Sequence, residues 1–281
     1  MTNFIAEIGS NHNRCYDRTM ALIAKAKEVG CWGVKFQLFH PDRLYAPIPR
    51  NAKKIEVARN WSLPLGWLYD IAQKCKKLHL QFGCAPFDLE SADQLRGLVD
   101  FYKISSYDIL RLDLIKRCSD LAFATGASVM MSVGMASPEE IRNAYSVVRK
   151  EFVHAKRITL LHCVSNYPAR PEECCLNKIG MYRQLYKCLV GWSDHTTSPG
   201  VIYRAVMRGA SVVEFHMDLE DMRGNESQFG HCWHPADIKR VIDNVAIGDM
   251  ADIGPYGMDH KHRAERADPE DGLRPMKEAR K

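Results

Sequence analysis

The chain has 281 residues, of which 46% are hydrophobic and 26% are charged, and these proportions exclude a disordered or fibrous protein. The formal net charge is +5, and because no basic run breaks the mixed-sign pattern, we expect no nucleic-acid partner. No apolar segment reaches the ~20 residues of a membrane span, and the chain begins as a strand rather than as a basic leader. We therefore expect a cytoplasmic protein without a membrane partner.

The ten cysteines do not indicate a disulfide scaffold. None falls in a Cys-x-x-Cys pair, and several lie inside apolar runs such as "FGCAPF" and "LLHCVS". In a chain of this length, such cysteines are typical of buried free thiols.

Eight short apolar runs alternate with segments of helical periodicity along the chain. The predicted strands are residues 4–9, 33–38, 80–84, 101–105, 128–133, 157–163, 188–193 and 211–216. The predicted helices are residues 17–29, 65–77, 89–98, 110–124, 137–150, 176–186, 199–208 and 234–246. Local signals support these boundaries, since Ser137 before Pro138 is typical of a helix N-terminus, and Gly126 follows a predicted helix where a left-handed residue would end it.

Strands that are apolar on both faces and separated by helices indicate a parallel sheet, because each crossover needs a helix. Eight strand–helix units indicate that the sheet closes, so we predict a single-domain (β/α)8 TIM barrel over residues 1–250. A doubly wound open sheet is the alternative, although no glycine-rich dinucleotide fingerprint follows the first strand. Residues 251–281 mix both charge signs with proline and glycine, which predicts an extended tail on the surface or in an oligomer contact.

Polar side chains cluster at the predicted carboxyl ends of the strands, where a barrel of this type carries its active site. They are Glu7, Asn11, His12, Asn13, Lys35, Gln37, Lys103, Ser105, Ser106, Asp108, Ser132, His162, Ser193, Asp194, His195, Glu214 and His216. Any one of them could be an ordinary core residue, but a purely structural barrel has no need of ionisable groups at so many strand ends. The convergence therefore predicts a functional site, with Glu7 and Asp108 as candidates for acid/base catalysis.

The residue types at these strand ends suit a cation and an anion. His195 and His216, on neighbouring strands, could bind a divalent metal through neutral imidazoles, although two ligands alone are a weak signal. Lys35 and Lys103 could hold a phosphate or a carboxylate as point charges. The hydroxyls that would assist them are those of Ser106, Ser132 and Ser193.

Seven motifs, taken in order, resemble the sialic acid synthase family over about residues 3–246. They are "FIAEIGSNHN", "VKFQ", "FYKISSYD", "MSVGMASPEEI", "LLHCVSNYPA", "VGWSDHT" and "GASVVEFH". The resemblance implies a (β/α)8 barrel that condenses phosphoenolpyruvate with an N-acetylated hexose such as N-acetylmannosamine. The products would be a nine-carbon nonulosonic (sialic-type) acid and phosphate, which would leave by C–O cleavage.

The resemblance also implies roles for particular residues. His195 and His216 match the ligands of a divalent cation, Mn²⁺ or Mg²⁺, which would polarise the aldehyde carbonyl as a Lewis acid. Glu7 matches the carboxylate that handles the water proton, and Gln37 and Tyr167 match contacts to the sugar. The residues that match the family's phosphoenolpyruvate-binding residues are Lys35, Lys103, Ser106, Ser132 and Ser193.

A histidine that binds a metal usually donates its other ring nitrogen to an acceptor, and Glu214 or Asp194 could serve. We also count Asp194 among the substrate-binding residues, as the side chain that orients the loop of His195.

Four positions depart from the family pattern. Asp108 stands where glutamate is usual, and Glu226 stands roughly where aspartate is common; with Glu7 they form the predicted catalytic set. Phe215 stands where lysine is usual, so one cation is expected to be missing from the site. Ala85 stands where a threonine or serine would be expected, which removes one contact to phosphate.

Typical family members carry a C-terminal antifreeze-like domain that reaches across a swapped dimer. The resemblance therefore implies a homodimer, and we expect the sugar side of the pocket to be completed differently in this chain. The alternative function is a non-catalytic barrel subunit that binds a phosphorylated small molecule. An aldolase that forms a Schiff base at Lys35 or Lys103 is a weaker third hypothesis.

Overall fold

The computed structural model describes residues 1–46, 48–152 and 155–252. The predicted tail, residues 251–281, lies outside the described residues apart from its first two positions, which end the last helix. No helix within the described residues is long and apolar enough to cross a membrane.

Eight parallel strands close into a barrel, which confirms the predicted (β/α)8 fold and excludes the open sheet. The strands are β1 (Asn3–Glu7), β2 (Gly33–Leu38), β3 (Gln81–Pro86), β4 (Phe101–Ile104), β5 (Ser128–Ser132), β6 (Ile158–Cys163), β7 (Leu189–Asp194) and β8 (Val212–His216). Closure brings the two ends of the barrel sequence together, because β1 pairs with β8 and Glu7 lies opposite His216. These two residues come from predicted strands that are more than 200 positions apart in the sequence.

Ten α-helices are present among the described residues. They are α1 (Tyr16–Glu28), α2 (Pro41–Leu44), α3 (Ala52–Trp61), α4 (Leu68–Lys77), α5 (Leu89–Gln94), α6 (Leu112–Thr125), α7 (Pro138–Glu151), α8 (Asn177–Tyr186), α9 (Pro199–Met207) and α10 (Pro235–Asp252). Helices α2 and α3 were not predicted from the sequence. Only one residue of α3, Ala58, is buried, so this helix has no apolar stripe of the kind that periodicity detects.

The barrel has an apolar plug directly beneath its polar end. The plug is a separate buried cluster formed by Ile5, Phe101, Met130, Leu161 and Val212. Each of these residues stands two positions before a side chain that lines the cavity above, so strand alternation directs both members of each pair into the barrel. The plug therefore supports the polar residues from below, and the larger hydrophobic core lies between the strands and the helices.

Two strand glycines make room for this plug. A Cβ added to Gly83 would lie 2.0 Å from the ring of Phe101, and one added to Gly191 would lie 2.3 Å from the carbonyl oxygen of Val212. A side chain at either position would force the barrel interior apart.

All ten cysteines lie among the described residues and are free thiols, which confirms the absence of a disulfide scaffold. Eight of them are buried as predicted, but Cys15 and Cys175 are exposed.

Candidate active site

A polar cavity opens at the carboxyl ends of the strands. It brings together ten of the predicted site residues, namely Glu7, Lys35, Gln37, Lys103, Ser106, Ser132, Tyr167, Ser193, His195 and His216. The predicted residues Asp108, Asp194 and Glu226 do not line it. The sequence-based site is therefore assembled at one place, with three members outside the cavity wall.

One side of the cavity carries a buried ion pair between neighbouring strands. The ammonium nitrogen of Lys35 lies 2.6 Å from Glu7 Oε2, and Gln37 Nε2 donates a hydrogen bond of 2.7 Å to Glu7 Oε1. Burial opposes the charge on Lys35, but attraction to Glu214 and Glu7 raises its pKa, so Lys35 is a cation. Burial raises the pKa of Glu7, although the positive charge of Lys35 lowers it in part. A raised pKa suits a carboxyl group that exchanges a proton.

The second lysine lies on β4, close to a serine hydroxyl and a carboxylate. Lys103 Nζ donates a hydrogen bond of 2.7 Å to Ser132 Oγ and lies 3.8 Å from Glu214 Oε1. Ser193 donates to the same Glu214 oxygen over 3.0 Å, while Glu214 Oε2 is buried without a hydrogen-bond partner. Burial lowers the pKa of Lys103, partly offset by the pull of Glu214. An anion beside Lys35 and Lys103 would replace part of the hydration that both ammonium groups have lost.

Two imidazoles also line the cavity, one directly after β7 and one at the end of β8. Their ring centroids are 5.4 Å apart. His195 Nδ1 donates to the carbonyl oxygen of Val164 over 2.7 Å, and His216 Nδ1 donates to Glu226 Oε2 over 2.6 Å. Each ring therefore keeps Nε2 free as a ligand atom. Burial lowers the pKa of His195 to about 3, which leaves it in the neutral form that a metal requires.

These donors fit a divalent cation. Two imidazoles line the cavity that also holds the unpartnered Glu214 Oε2, and each imidazole is oriented by an acceptor on its other nitrogen, as is usual for histidine ligands. Burial opposes the charge on His216, but attraction to Glu226 raises its pKa, so a cation would displace a proton from this ring on binding. His195 and His216 are the residues that would hold the ion.

The predicted acceptors for the two histidines were wrong. The acceptors are the Val164 carbonyl and Glu226, whereas Glu214 accepts from Ser193. Asp194 is fully buried and faces away from the cavity, because alternation along β7 directs Ser193 inward and Asp194 outward. Its oxygens accept from the indoles of Trp192 and Trp233 over 3.0 and 2.9 Å and from the loop residues Thr196 and Thr197. Asp194 therefore shapes the loop after His195 and does not reach the cavity.

The expected loss of a cation at Phe215 was also wrong. Glu214 and His216 point into the barrel, so Phe215 between them points outward, where it packs edge-on against Phe4 with ring centroids 6.5 Å apart. A lysine at this position would face the helical layer and not the cavity.

Asp108 lies in a short helical turn after β4 and is engaged locally. It accepts a hydrogen bond of 2.5 Å from Ser105 Oγ and lies 3.7 Å from the guanidinium of Arg111. Burial raises its pKa, against the hydrogen bond from Ser105 and the charge of Arg111. Of this group only Ser105 lines the cavity.

The loop after β8 contributes groups that sequence reasoning missed. His231 is 3% exposed, and its ring lies 4.6 Å from that of His216 and 4.9 Å from that of Tyr167. The signal available in the sequence was "GHCWHP", which begins at Gly230, 14 positions after the end of β8. Cys163, whose Sγ lies 3.0 Å from Ser106 Oγ in the cavity wall, was also missed.

His216, Glu226, His231 and Cys232 place potential metal-binding atoms within 4.8 Å of one another. The contact of 2.6 Å between His216 Nδ1 and Glu226 Oε2 is nevertheless a hydrogen bond. Burial raises the pKa of the Cys232 thiol to about 12, so it is not a ready thiolate ligand. We interpret Glu226 as the hydrogen-bonded support of His216, with the polar atoms of His231 and Cys232 close by.

The protein is a closed (β/α)8 barrel, and its buried ionisable side chains converge at the carboxyl ends of the strands. This arrangement is typical of TIM-barrel enzymes. A sequence profile of the NeuB family matches residues 22–251. The chain belongs to the NeuB family.

Relatives with named activities are synthases of nonulosonic acids. The N,N'-diacetyllegionaminic acid synthase of Campylobacter jejuni is 32% identical over 266 residues, which cover 88% of this chain and 78% of that protein. The pseudaminic acid synthase of Helicobacter pylori is 30% identical over 227 residues, which cover 76% of this chain and 65% of that protein.

Solved structures show the same fold. The sialic acid synthetase of Leptospira borgpetersenii, crystallised with citrate, superposes with a TM-score of 0.81 at 24% identity and covers 94% of this chain and 90% of its own. The spore coat polysaccharide biosynthesis protein SpsE of Bacillus subtilis superposes with a TM-score of 0.76 at 28% identity and covers 92% and 72%.

Proposed function

We propose that the protein condenses phosphoenolpyruvate with an N-acetylated hexose, of the N-acetylmannosamine type, to give a nonulosonic acid and phosphate. The observation that carries the proposal is the placement of two buried lysines, Lys35 and Lys103, in one cavity with two correctly oriented imidazoles, His195 and His216. The named activities of the relatives support the same reaction class.

The lysine side of the cavity suits phosphoenolpyruvate. This substrate carries a carboxylate and a phosphate, and Lys35 and Lys103 offer two ammonium groups on strands β2 and β4. Charge-assisted hydrogen bonds in a buried site are stronger than neutral ones. The hydroxyls available to complete the contacts are those of Ser106, Ser132 and Ser193.

The imidazole side suits the aldehyde. A divalent cation, Mn²⁺ or Mg²⁺, held by His195 and His216 would polarise the carbonyl of the open-chain sugar. Tyr167, whose ring centroid lies 4.1 Å from that of His195, and Gln37 would contact the sugar from the cavity wall.

The bond changes balance without a further co-reactant. C3 of phosphoenolpyruvate forms a bond to the aldehyde carbon as the C2–C3 double bond and the carbonyl π bond break, and the aldehyde oxygen takes up a proton to become a hydroxyl. Water adds at C2 and releases one proton. The resulting tetrahedral carbon becomes the keto group when its C2–O bond to phosphate breaks, and its hydroxyl proton leaves with the phosphate. Glu7, held between Lys35 and Gln37, would exchange the proton of the attacking water. Lys35 and Lys103 would stabilise the negative charge on the departing phosphate.

The predicted homodimer stays a prediction, which light scattering of the purified protein would test.

Phosphate release tests the proposal. The purified protein with Mn²⁺ and phosphoenolpyruvate should release phosphate only when an N-acyl hexose is added, with a keto acid of the summed mass as the second product. His195→Ala should abolish turnover, whereas the matched variant His79→Asn, at an exposed position, should keep it. If calorimetry shows that phosphoenolpyruvate binds but no aldehyde in the panel gives phosphate, the protein is the non-catalytic binding subunit instead.

A further inference from the structure

We infer that Glu226 is a positioning residue, which orients His216 for cation binding and does not transfer protons to the substrate. The inference rests on the proposed function in one respect, namely that the cavity binds a divalent cation. It reassigns Glu226 from the predicted catalytic set.

The contact with His216 is direct and buried. His216 Nδ1 donates to Glu226 Oε2 over 2.6 Å, and both residues are 7% exposed. An acceptor on Nδ1 fixes the tautomer of an imidazole and its rotation about the ring axis. The nitrogen left free for a cation is therefore Nε2.

The other carboxylate oxygen is also occupied. Glu226 Oε1 accepts from the backbone nitrogen of Ser10 over 2.7 Å and from Ser10 Oγ over 3.2 Å. The backbone nitrogen of Glu226 donates to Asn11 Oδ1 over 2.8 Å. Both oxygens thus face donors of the protein, and Glu226 does not line the cavity. The imidazole of His231 lies 3.8 Å from Oε2 but does not line the cavity either, so His216 is the neighbour through which this carboxylate affects the site.

A glycine on the β1–α1 loop makes this arrangement sterically possible. Gly9 has a φ of +50°, and a Cβ built on it would lie 2.1 Å from Glu226 Oε1. The same two loops meet again at Gly224, where a Cβ would lie 2.3 Å from Asn11 Oδ1. The loop that begins directly after Glu7 therefore fixes the side chain that orients the metal ligand.

The length of the side chain at position 226 also supports a positioning role. An aspartate at position 226 would be shorter by one methylene and could not keep both the bond to His216 and the bonds to Ser10. Glu226→Asp is consequently a conservative test, since it keeps the negative charge but shortens the side chain, so that the carboxylate cannot contact His216 and Ser10 at the same time.

Titration of the apoprotein with Mn²⁺, followed by calorimetry or by the electron paramagnetic resonance of free Mn²⁺, measures this role without substrate. Loss of a hydrogen-bond acceptor behind a metal ligand typically weakens metal binding about 10–100-fold, and we expect that range for Glu226→Ala, Glu226→Asp and Gly9→Ala. Raising the Mn²⁺ concentration should restore most of kcat in Glu226→Asp.

The matched control is Gly97→Ala. Gly97 also has a positive φ, +74°, but a Cβ there would meet nothing within 4 Å, so this variant carries the same backbone strain without displacing a carboxylate. It should bind Mn²⁺ like the wild type. Circular dichroism spectra of all variants confirm that they are folded.

Unchanged Mn²⁺ affinity in folded Glu226→Asp and Gly9→Ala, with kcat lost and not restored by Mn²⁺, would overturn the inference and return Glu226 to acid/base catalysis. Equal weakening in Gly97→Ala would also overturn it. Failure of the folded wild type itself to bind Mn²⁺ would instead overturn the proposed function, and the inference with it.

Discussion

The ammonium group of Lys35 lies 2.6 Å from the carboxylate of Glu7 although both side chains are buried. The register of the barrel creates this contact, because Glu7 on β1 pairs directly with Lys35 on β2. Two further buried charges, Lys103 and Glu214, lie in the same cavity. The site therefore contains opposite charges at close range even before a substrate adds its own.

Removal of Lys35 should destabilise the protein more than removal of the whole pair. Lys35→Met leaves the Glu7 carboxylate without its ion partner in the barrel, and the loss of one partner of a buried pair costs about 3–5 kcal/mol of unfolding free energy. The double variant Lys35→Met with Glu7→Gln should recover most of this loss. Urea denaturation of the four proteins measures the coupling, and strictly additive losses would show that the pair is not a unit.

Removal of Lys103 should weaken phosphoenolpyruvate binding. Hydrogen bonds to charged groups contribute about 1.5–3 kcal/mol, so Lys103→Met should raise the Kd about 10–100-fold. Isothermal titration calorimetry measures the change. The matched control is Lys116→Met on the surface, where the lysine pairs with Asp120 and should not affect the Kd. An unchanged Kd for Lys103→Met would remove this lysine from the anion site.

Replacement of Asp194 should affect stability rather than substrate affinity. Asp194→Ala leaves the indole N–H groups of Trp192 and Trp233 without an acceptor, and an unpartnered buried donor costs about 1–3 kcal/mol. The melting temperature should fall, while the KM for phosphoenolpyruvate stays near that of the wild type. A large rise in KM with an unchanged melting temperature would place Asp194 against the substrate after all.

The plug beneath the site should not tolerate added volume. Gly191→Ala would place a Cβ 2.3 Å from the Val212 carbonyl oxygen, and overpacking of this kind costs about 1–3 kcal/mol. Gly180→Ala, at a helical glycine with open space around it, should stabilise the protein by about 0.5–1 kcal/mol. Chemical denaturation of both variants checks the opposite signs, and equal effects would contradict the packing described for the barrel interior.

The barrel itself could be predicted from the sequence because each strand lies in an apolar run and each crossover contains at least one helix with a recognisable apolar pattern. The helices without such a pattern are α2 and α3. Lys35, Lys103 and Glu214 could be assigned to the site from their positions at the ends of predicted strands. The outward direction of Asp194 and Phe215 follows from the same period of two, and applying it strictly would have prevented two wrong predictions.

Other features depend on contacts between distant loops, which no local pattern contains. Glu226 meets His216 across ten positions and Ser10 across 216 positions of sequence. His231 lies in the same loop as Glu226 and Gly224, which closely approach Gly9 and Asn11 from the loop after β1. Periodicity describes strands and helices, but it does not describe which side chain a loop brings to a metal ligand.

The position of bond cleavage tests the central claim most directly. Phosphoenolpyruvate labelled with ¹⁸O in the bridging oxygen between C2 and phosphorus would be incubated with the protein, Mn²⁺ and an N-acyl hexose, and the phosphate would be examined by ³¹P NMR. The proposed reaction breaks the C2–O bond, so all of the label should appear in phosphate. Label retained in the keto acid, or no phosphate released by the folded protein, would contradict the account.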